Sequence, residues 1–167
     1  MNNQCNEYDD NVIRYIAGFC TRSVLKKTKC RQCKDFLSMP GIRTAWHVLK
    51  EFSNCTLIAV NDELASFFKF IEITLKPTLI LKNILRPNFL PVCVLKIMTS
   101  YIDLNPSKFC ALKQHENNTD HSYCILKSLC HLYVKTRLAR FIKKKNEDMK
   151  DKFLRRKLTK YVHFKNQ

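Results

Sequence analysis

Residues Asp120 to Gln167 read DHSYCILKSLCHLYVKTRLARFIKKKNEDMKDKFLRRKLTKYVHFKNQ, without one proline or glycine. Ile125, Leu126, Leu129, Leu132 and Tyr133 recur at the spacing that places side chains on one face of a helix. Leu138, Ile142, Met149, Phe153 and Leu158 continue that spacing among many charges. The stretch predicts one or two long amphipathic helices. No heptad is sustained, so a coiled coil is not expected. A helix apolar on one side only must be covered by other elements, and the fold class follows from what precedes it.

What precedes it is also helical in pattern. The 167 residues contain two glycines, Gly18 and Gly41, and five prolines. So few breakers argue against a hairpin-rich β fold and leave no Gly-rich phosphate loop. Val12, Ile13, Ile16, Phe19 and Cys20 mark a first helix, with Asp9 and Asp10 suited to cap it. Gly18 lies inside that helix, where it costs ~1 kcal/mol relative to alanine, and its presence predicts close packing there. Pro40-Gly41 is a stop. Ile42, Ala45, Trp46 and Leu49 predict a helix over 42–52. Asn61 is the cap of another, whose first turn carries Asp62 and Glu63 beside the positive helix end. Leu64, Phe67, Phe68, Ile71 and Leu75 form its apolar stripe, and Pro77 ends it. Residues 78–90, interrupted by Pro87, read as a short helix or an extended connection. Val92 to Leu104 is a further helix, ended by Asn105-Pro106.

The expected fold is therefore all-α, a bundle of about five or six helices ending in a long basic amphipathic helix. One domain is expected. Residues 1–112 form a helical region with a CxxC loop, 113–119 a polar loop, and 120–167 a basic helical segment packed on the first region.

The formal charge is +16, from 30 Lys and Arg against 14 Asp and Glu. Thirteen of those cations and three of the acids lie between Leu132 and Gln167, which places +10 in the last 36 residues. Such a field favours polyanions, nucleic acid before acidic membranes. A charge run also suits a merely solvated helix face. No apolar run reaches the ~18 residues that span a bilayer, so no membrane association is expected. Met1 to Asp10 is polar and acidic, the reverse of a secretory n-region, and the cysteine count of nine is odd. Reduced thiols in the cytosol or nucleus are expected, where paired cysteines more often bind metal than bridge.

Cys30-Arg-Gln-Cys33 is the sharpest chemical motif. Two thiolates at this spacing can occupy adjacent corners of a tetrahedral Zn²⁺ site, helped by Lys29 and Arg31. The other two ligands are read as His121 and Cys124, three apart and on one helix face, with His115, Cys20 and Cys130 in reserve. Two ordinary loop thiols are the competing reading. A thioredoxin-like role fits poorly, because no βαβ pattern surrounds the pair. Cys55, Cys93 and Cys110 sit among apolar neighbours and read as core; His47, His131 and His163 read as structural or surface histidines. The acids do not suggest convergent metal-binding carboxylates, and no nucleophile with an adjacent base stands out, so no catalysis by this chain is expected. Candidate phosphate contacts are Arg137, Arg140, Lys143, Lys144, Arg155, Arg156 and Lys160. The aromatics among them fall at helical spacing and suit a core or partner face.

The stretch Val12-Ile-Arg-Tyr-Ile-Ala-Gly-Phe19 followed by Lys29-Cys-Arg-Gln-Cys33 resembles the "Y-[IV]-A-G-[YF]…C-x-x-C" segment of P-element-type, THAP-domain transposases. The chain's end is similar to the family's closing pattern: His121, Ile125-Leu126, Tyr133, Arg137-Leu138, Arg156-Lys-Leu-Thr-Lys160 and Phe164-Lys-Asn-Gln167. The two stretches bracket nearly the whole chain. The middle departs, since Asp62-Glu-Leu64 lacks the glycines of the family's "GGL-x-x-PS"-like turn. The resemblance implies a nuclear, transposon-derived protein corresponding to the region downstream of the catalytic domain. It also implies that Cys30 and Cys33 pair with His121 in the metal site. Nothing in the sequence matches the family's THAP DNA-binding domain, its Asp/Asp/Glu catalytic core or its GTP-binding insertion. The function so implied is accessory: packing on a transposase catalytic domain and contacting DNA phosphates. The rival reading is a protein-interaction module whose basic helix docks an acidic partner.

Overall fold

A computed structural model describes residues 3–43, 57–84, 86–105 and 121–148, and the described residues are all-α. The elements are α1 (Asn3–Leu25), α2 (Arg31–Ser38), α3 (Asp62–Leu75), a 3₁₀ turn (Lys76–Thr78), α4 (Leu81–Ile84), α5 (Phe89–Leu104) and α6 (His121–Asp148). Of the helix expected over 42–52, Ile42 and Arg43 are described and are not helical, while its remainder, the polar loop at 113–119 and the chain beyond 148 lie outside the described residues.

The start of α1 differs from expectation. The helix already runs from Asn3, so Asp9 and Asp10 lie inside it and do not cap it. Asp10 instead bonds Arg14, one turn on, at 3.0 Å and approaches Lys69 of α3 at 3.6 Å. The buried edge of α1 is Ile13, Ile16, Ala17 and Cys20, while Phe19 stands 49% exposed beside it.

Helix α3 starts as its sequence predicts. Asn61 Oδ1 accepts the Leu64 N–H at 2.9 Å, and its Nδ2 donates to the Phe36 carbonyl at 3.0 Å. One buried side chain thus caps α3 and ties it to the end of α2. Leu64, Phe67, Phe68, Ile71 and Leu75 are all buried. Burial of each such side chain contributes ~1.5–3 kcal/mol, which makes α3 the principal apolar element. It contacts α1, α5 and α6. Phe67 meets Tyr101 of α5 edge-on at 4.7 Å between ring centroids, and Phe68 meets Tyr133 of α6 at 5.3 Å.

Pro77 converts the end of α3 into the 3₁₀ turn. The region read as a short helix or connection proves to be α4 and a turn at Arg86–Phe89, with Asn88 in the left-handed region at φ 60°. Pro91 sits in the first turn of α5, where a missing N–H is tolerated. Cys93, Val94, Ile97, Met98 and Tyr101 face the core.

Helix α6 crosses the bundle and contacts α1, α2, α3 and α5. Leu126, Leu129, Cys130, Tyr133 and Val134 join the main core, whereas Leu138 and Ile142 form a smaller cluster with Ile84 of α4. Close packing at Gly18 is borne out: a Cβ there would lie 2.4 Å from the backbone oxygen of Ile58. Gly41 is pinned by the same passing segment, since its Cβ would meet the Val60 backbone. No helix among the described residues is long and apolar enough to cross a membrane.

Candidate functional site

The end of α1 turns through Lys26–Thr28, with Thr28 Oγ1 donating to the Val24 carbonyl at 2.9 Å. That turn delivers Cys30 to the N-cap position of α2 in an extended conformation (φ −62°, ψ 127°). Cys33 follows one turn into the helix, where its side chain is buried. Because α2 packs on both α1 and α6, its N-terminal end meets the first residue of α6, His121. One donor atom each from Cys30, Cys33 and His121 lie within 4.8 Å of one another. It is the one such group of metal-ligating residues among the described residues.

The two thiols differ electrically. The Cys33 backbone N–H, then the His121 side chain, stabilise a Cys30 thiolate and hold its pKa down at about 7. Burial, reinforced by the neighbouring Cys30 sulfur, pushes Cys33 up to about 11. Without a cation the pair favours one thiolate beside one thiol. A divalent ion would favour deprotonation of both, so binding would release protons. Two sulfurs and an imidazole suit zinc chemically. A tetrahedral site with Zn–S of about 2.3 Å has edges of roughly 3.8 Å, so the three donors need draw together by no more than about 1 Å.

The triad opens into a cavity of about 310 Å³ whose wall includes Val24, Lys27, Cys124, Ile125 and Ser128. Cys124, expected as the fourth ligand, is exposed on this wall and outside the close triad. The reserve thiols Cys20 and Cys130 are excluded by position. Both are buried in the core, and burial pushes each to about 12. Cys93 is a core thiol as expected; Cys55, Cys110 and the reserve His115 lie outside the described residues.

The basic residues of α6 separate into two kinds. Arg137 is engaged: its Nε donates to Glu72 Oε2 at 2.8 Å and its Nη2 to Glu72 Oε1, forming a two-pronged pair between α6 and α3. Tyr133 Oη donates to the same Glu72 carboxylate at 2.8 Å. Arg137, expected as a phosphate contact, has its fork matched by a carboxylate and joins α6 to α3. Arg140, Lys143 and Lys144 are exposed, with the Arg140 guanidinium 5.7 Å from the Tyr15 ring centre. Arg155, Arg156 and Lys160 lie outside the described residues. The sequence reading passed over Glu72. Its signal was available, since an acid four residues after Phe68 and three before Leu75 falls on the buried stripe and needs a partner.

No protein-family model, curated protein or solved structure matches the chain.

Proposed function

We propose that this chain is an accessory domain derived from a P-element-type, THAP-domain transposase. In this reading it is a nuclear, zinc-stapled helical module that lays positive charge along DNA and performs no catalysis of its own. The family assignment rests on the two sequence stretches that bracket the chain. The observation that carries the metal reading is the convergence of Cys30, Cys33 and His121 from α2 and α6 to within 4.8 Å. Those three residues would hold the ion, with Cys124 on the cavity wall as the candidate fourth ligand. When bound, zinc would act as a structural cross-link. In a longer chain the domain would pack on a transposase catalytic domain.

The DNA reading is supported by the exposed Arg140, Lys143 and Lys144 and by the basic sequence that continues through Arg155, Arg156 and Lys160. Contacts of this kind neutralise phosphates without reading sequence, so affinity falls steeply with salt.

One purified preparation tests both parts. Native mass spectrometry should find one zinc per chain, removed by chelator and absent from Cys33→Ser. The slope of log affinity against log salt for duplex DNA should shrink by about 3 in the Arg140→Ala, Lys143→Ala, Lys144→Ala triple variant. A chain that takes up no zinc defeats the metal reading, and negligible DNA affinity with a flat salt response defeats the DNA reading.

A further inference from the structure

Beyond the metal centre and the basic face, the structure holds a larger groove of about 940 Å³ between the end of α1, the start of α5 and the first half of α6. Its floor is aliphatic: Val24, Val94, Leu95 and Leu132, with Pro91 at one end. Its rim carries Lys26 and Lys27 from the turn after α1 and Lys127 and His131 from α6, all exposed, and no carboxylate lines it among the described residues. Leu95 is 58% exposed and Val92 beside it 61%, so apolar surface continues out of the groove along α5.

We infer that this groove binds an acidic amphipathic segment of a partner protein, lying as a helix with its leucine-type anchors on the floor and its carboxylates against the lysines. Charge complementarity selects the sign of the partner: two lysines in the turn after α1 and one on α6 stand over an apolar trough whose lining holds no acid among the described residues. The floor selects the class. Nucleic-acid grooves use aromatic faces on which bases stack, and this floor has none, whereas aliphatic troughs between helices receive the i, i+3, i+4 anchors of a helical peptide. The site is separate from the proposed DNA face. His131 and Arg140 are nine residues apart on one helix, which turns them roughly 180° from each other about its axis. Lys143, eleven residues beyond Leu132, returns to nearly the same face about 16 Å further along, so a bound peptide and a bound duplex would be separated along α6 as well as around it. The groove also shares Val24, Lys27 and Ser128 with the cavity of the metal centre, so the two adjoin.

The test uses the full chain and a fluorescent, designed helical peptide with leucine at i, i+3, i+4 and i+7 and glutamate on the flanks. Saturable one-to-one binding is expected. It should weaken at least about tenfold in the Lys26→Glu, Lys127→Glu double variant and in Leu95→Gln, and stay unchanged in the Arg140→Ala, Lys143→Ala variant. Thermal unfolding of each variant, all altered at exposed positions, verifies that the fold is retained. No saturable binding overturns the inference, as does equal affinity in the double variant. Equal binding of a glutamate peptide with serine in place of leucine would reduce the groove to a charge patch and overturn it too. Displacement of the peptide by a single-stranded oligonucleotide that is itself sensitive to Lys26→Glu, Lys127→Glu would reassign the groove to nucleic acid. None of these outcomes depends on zinc uptake or on duplex binding.

Discussion

Replacing Glu72 by alanine should destabilise the fold by about 2–3 kcal/mol, and the reasoning can be followed bond by bond. The carboxylate accepts from Tyr133 Oη, Arg137 Nε and Arg137 Nη2, and so joins α3 to α6 through three hydrogen bonds. Its side chain is 12% exposed and that of Arg137 25%. Deleting one partner of a fully buried pair costs about 3–5 kcal/mol, because a charge is left uncompensated. Here the guanidinium can recover part of its hydration, which brings the figure down, while the stranded phenol adds to it. For a chain of this size the midpoint of thermal unfolding should fall by roughly 4–10 °C. Arg137→Ala should cost about 2 kcal/mol, since Tyr133 still satisfies one carboxylate oxygen. The Glu72→Ala, Arg137→Ala double variant should then lose at least about 1 kcal/mol less than the sum of the singles. Urea unfolding followed by circular dichroism measures all four species. Additivity within about 0.5 kcal/mol would show that the pair does not couple α3 to α6. A second result would also refute the reasoning: a DNA salt slope lowered as much by Arg137→Ala as by Arg140→Ala.

Three further outcomes are expected. Gly18→Ala should gain up to ~1 kcal/mol of helix propensity yet lose more than that, for a net cost of about 1–3 kcal/mol, because its Cβ would press on the Ile58 carbonyl at 2.4 Å; a raised unfolding midpoint would contradict this. Asn61→Ala should cost about 2 kcal/mol in urea unfolding, from the lost cap on Leu64 and the lost bond to Phe36, and Asn61→Asp should recover the cap alone. In metal-free protein, alkylation mapped by peptide mass spectrometry should find Cys30 half-reactive near pH 7, its held-down value of about 7 lying below the ordinary 9.0, with Cys20 and Cys130 unlabelled. The same depressed value means that Cys30 favours the folded state above pH 9 and that this contribution is lost as pH falls through about 7; a Cys30 that labels only near pH 9 would contradict both statements.

How much was legible in the sequence depended on whether a feature was local. The Asn61 cap and the α3 stripe from Leu64 to Leu75 are set by neighbours a few residues away, and both stand as read. Cys30 and Cys33 announced themselves by spacing, and His121 by its three-residue step to Cys124 and by the family resemblance. That these three converge depends on α2 lying against α6, which no periodicity encodes. The pairing of Arg137 was not foreseen for the same reason. In sequence it is one cation within a basic run, and only the approach of Glu72 from α3 distinguishes it from Arg140 three residues later. The start of α1 was placed too late because Asp9 and Asp10 have the composition of a cap. In the fold Asp10 has Arg14 and Lys69 to bind, so its side chain is not needed by the helix end.

The contact of α1 with α6 has a consequence for how the chain is made. The first described helix is completed by the last described one, so the core cannot close fully until α6 has left the ribosome. At usual synthesis rates the interval between the two is on the order of 10 s. Throughout it the Ile13, Ile16, Ala17 and Cys20 edge of α1 can pack on α3 but lacks α6. A chain interrupted before His121 would leave the α6 side of that edge uncovered, the kind of apolar surface that chaperones and proteases recognise.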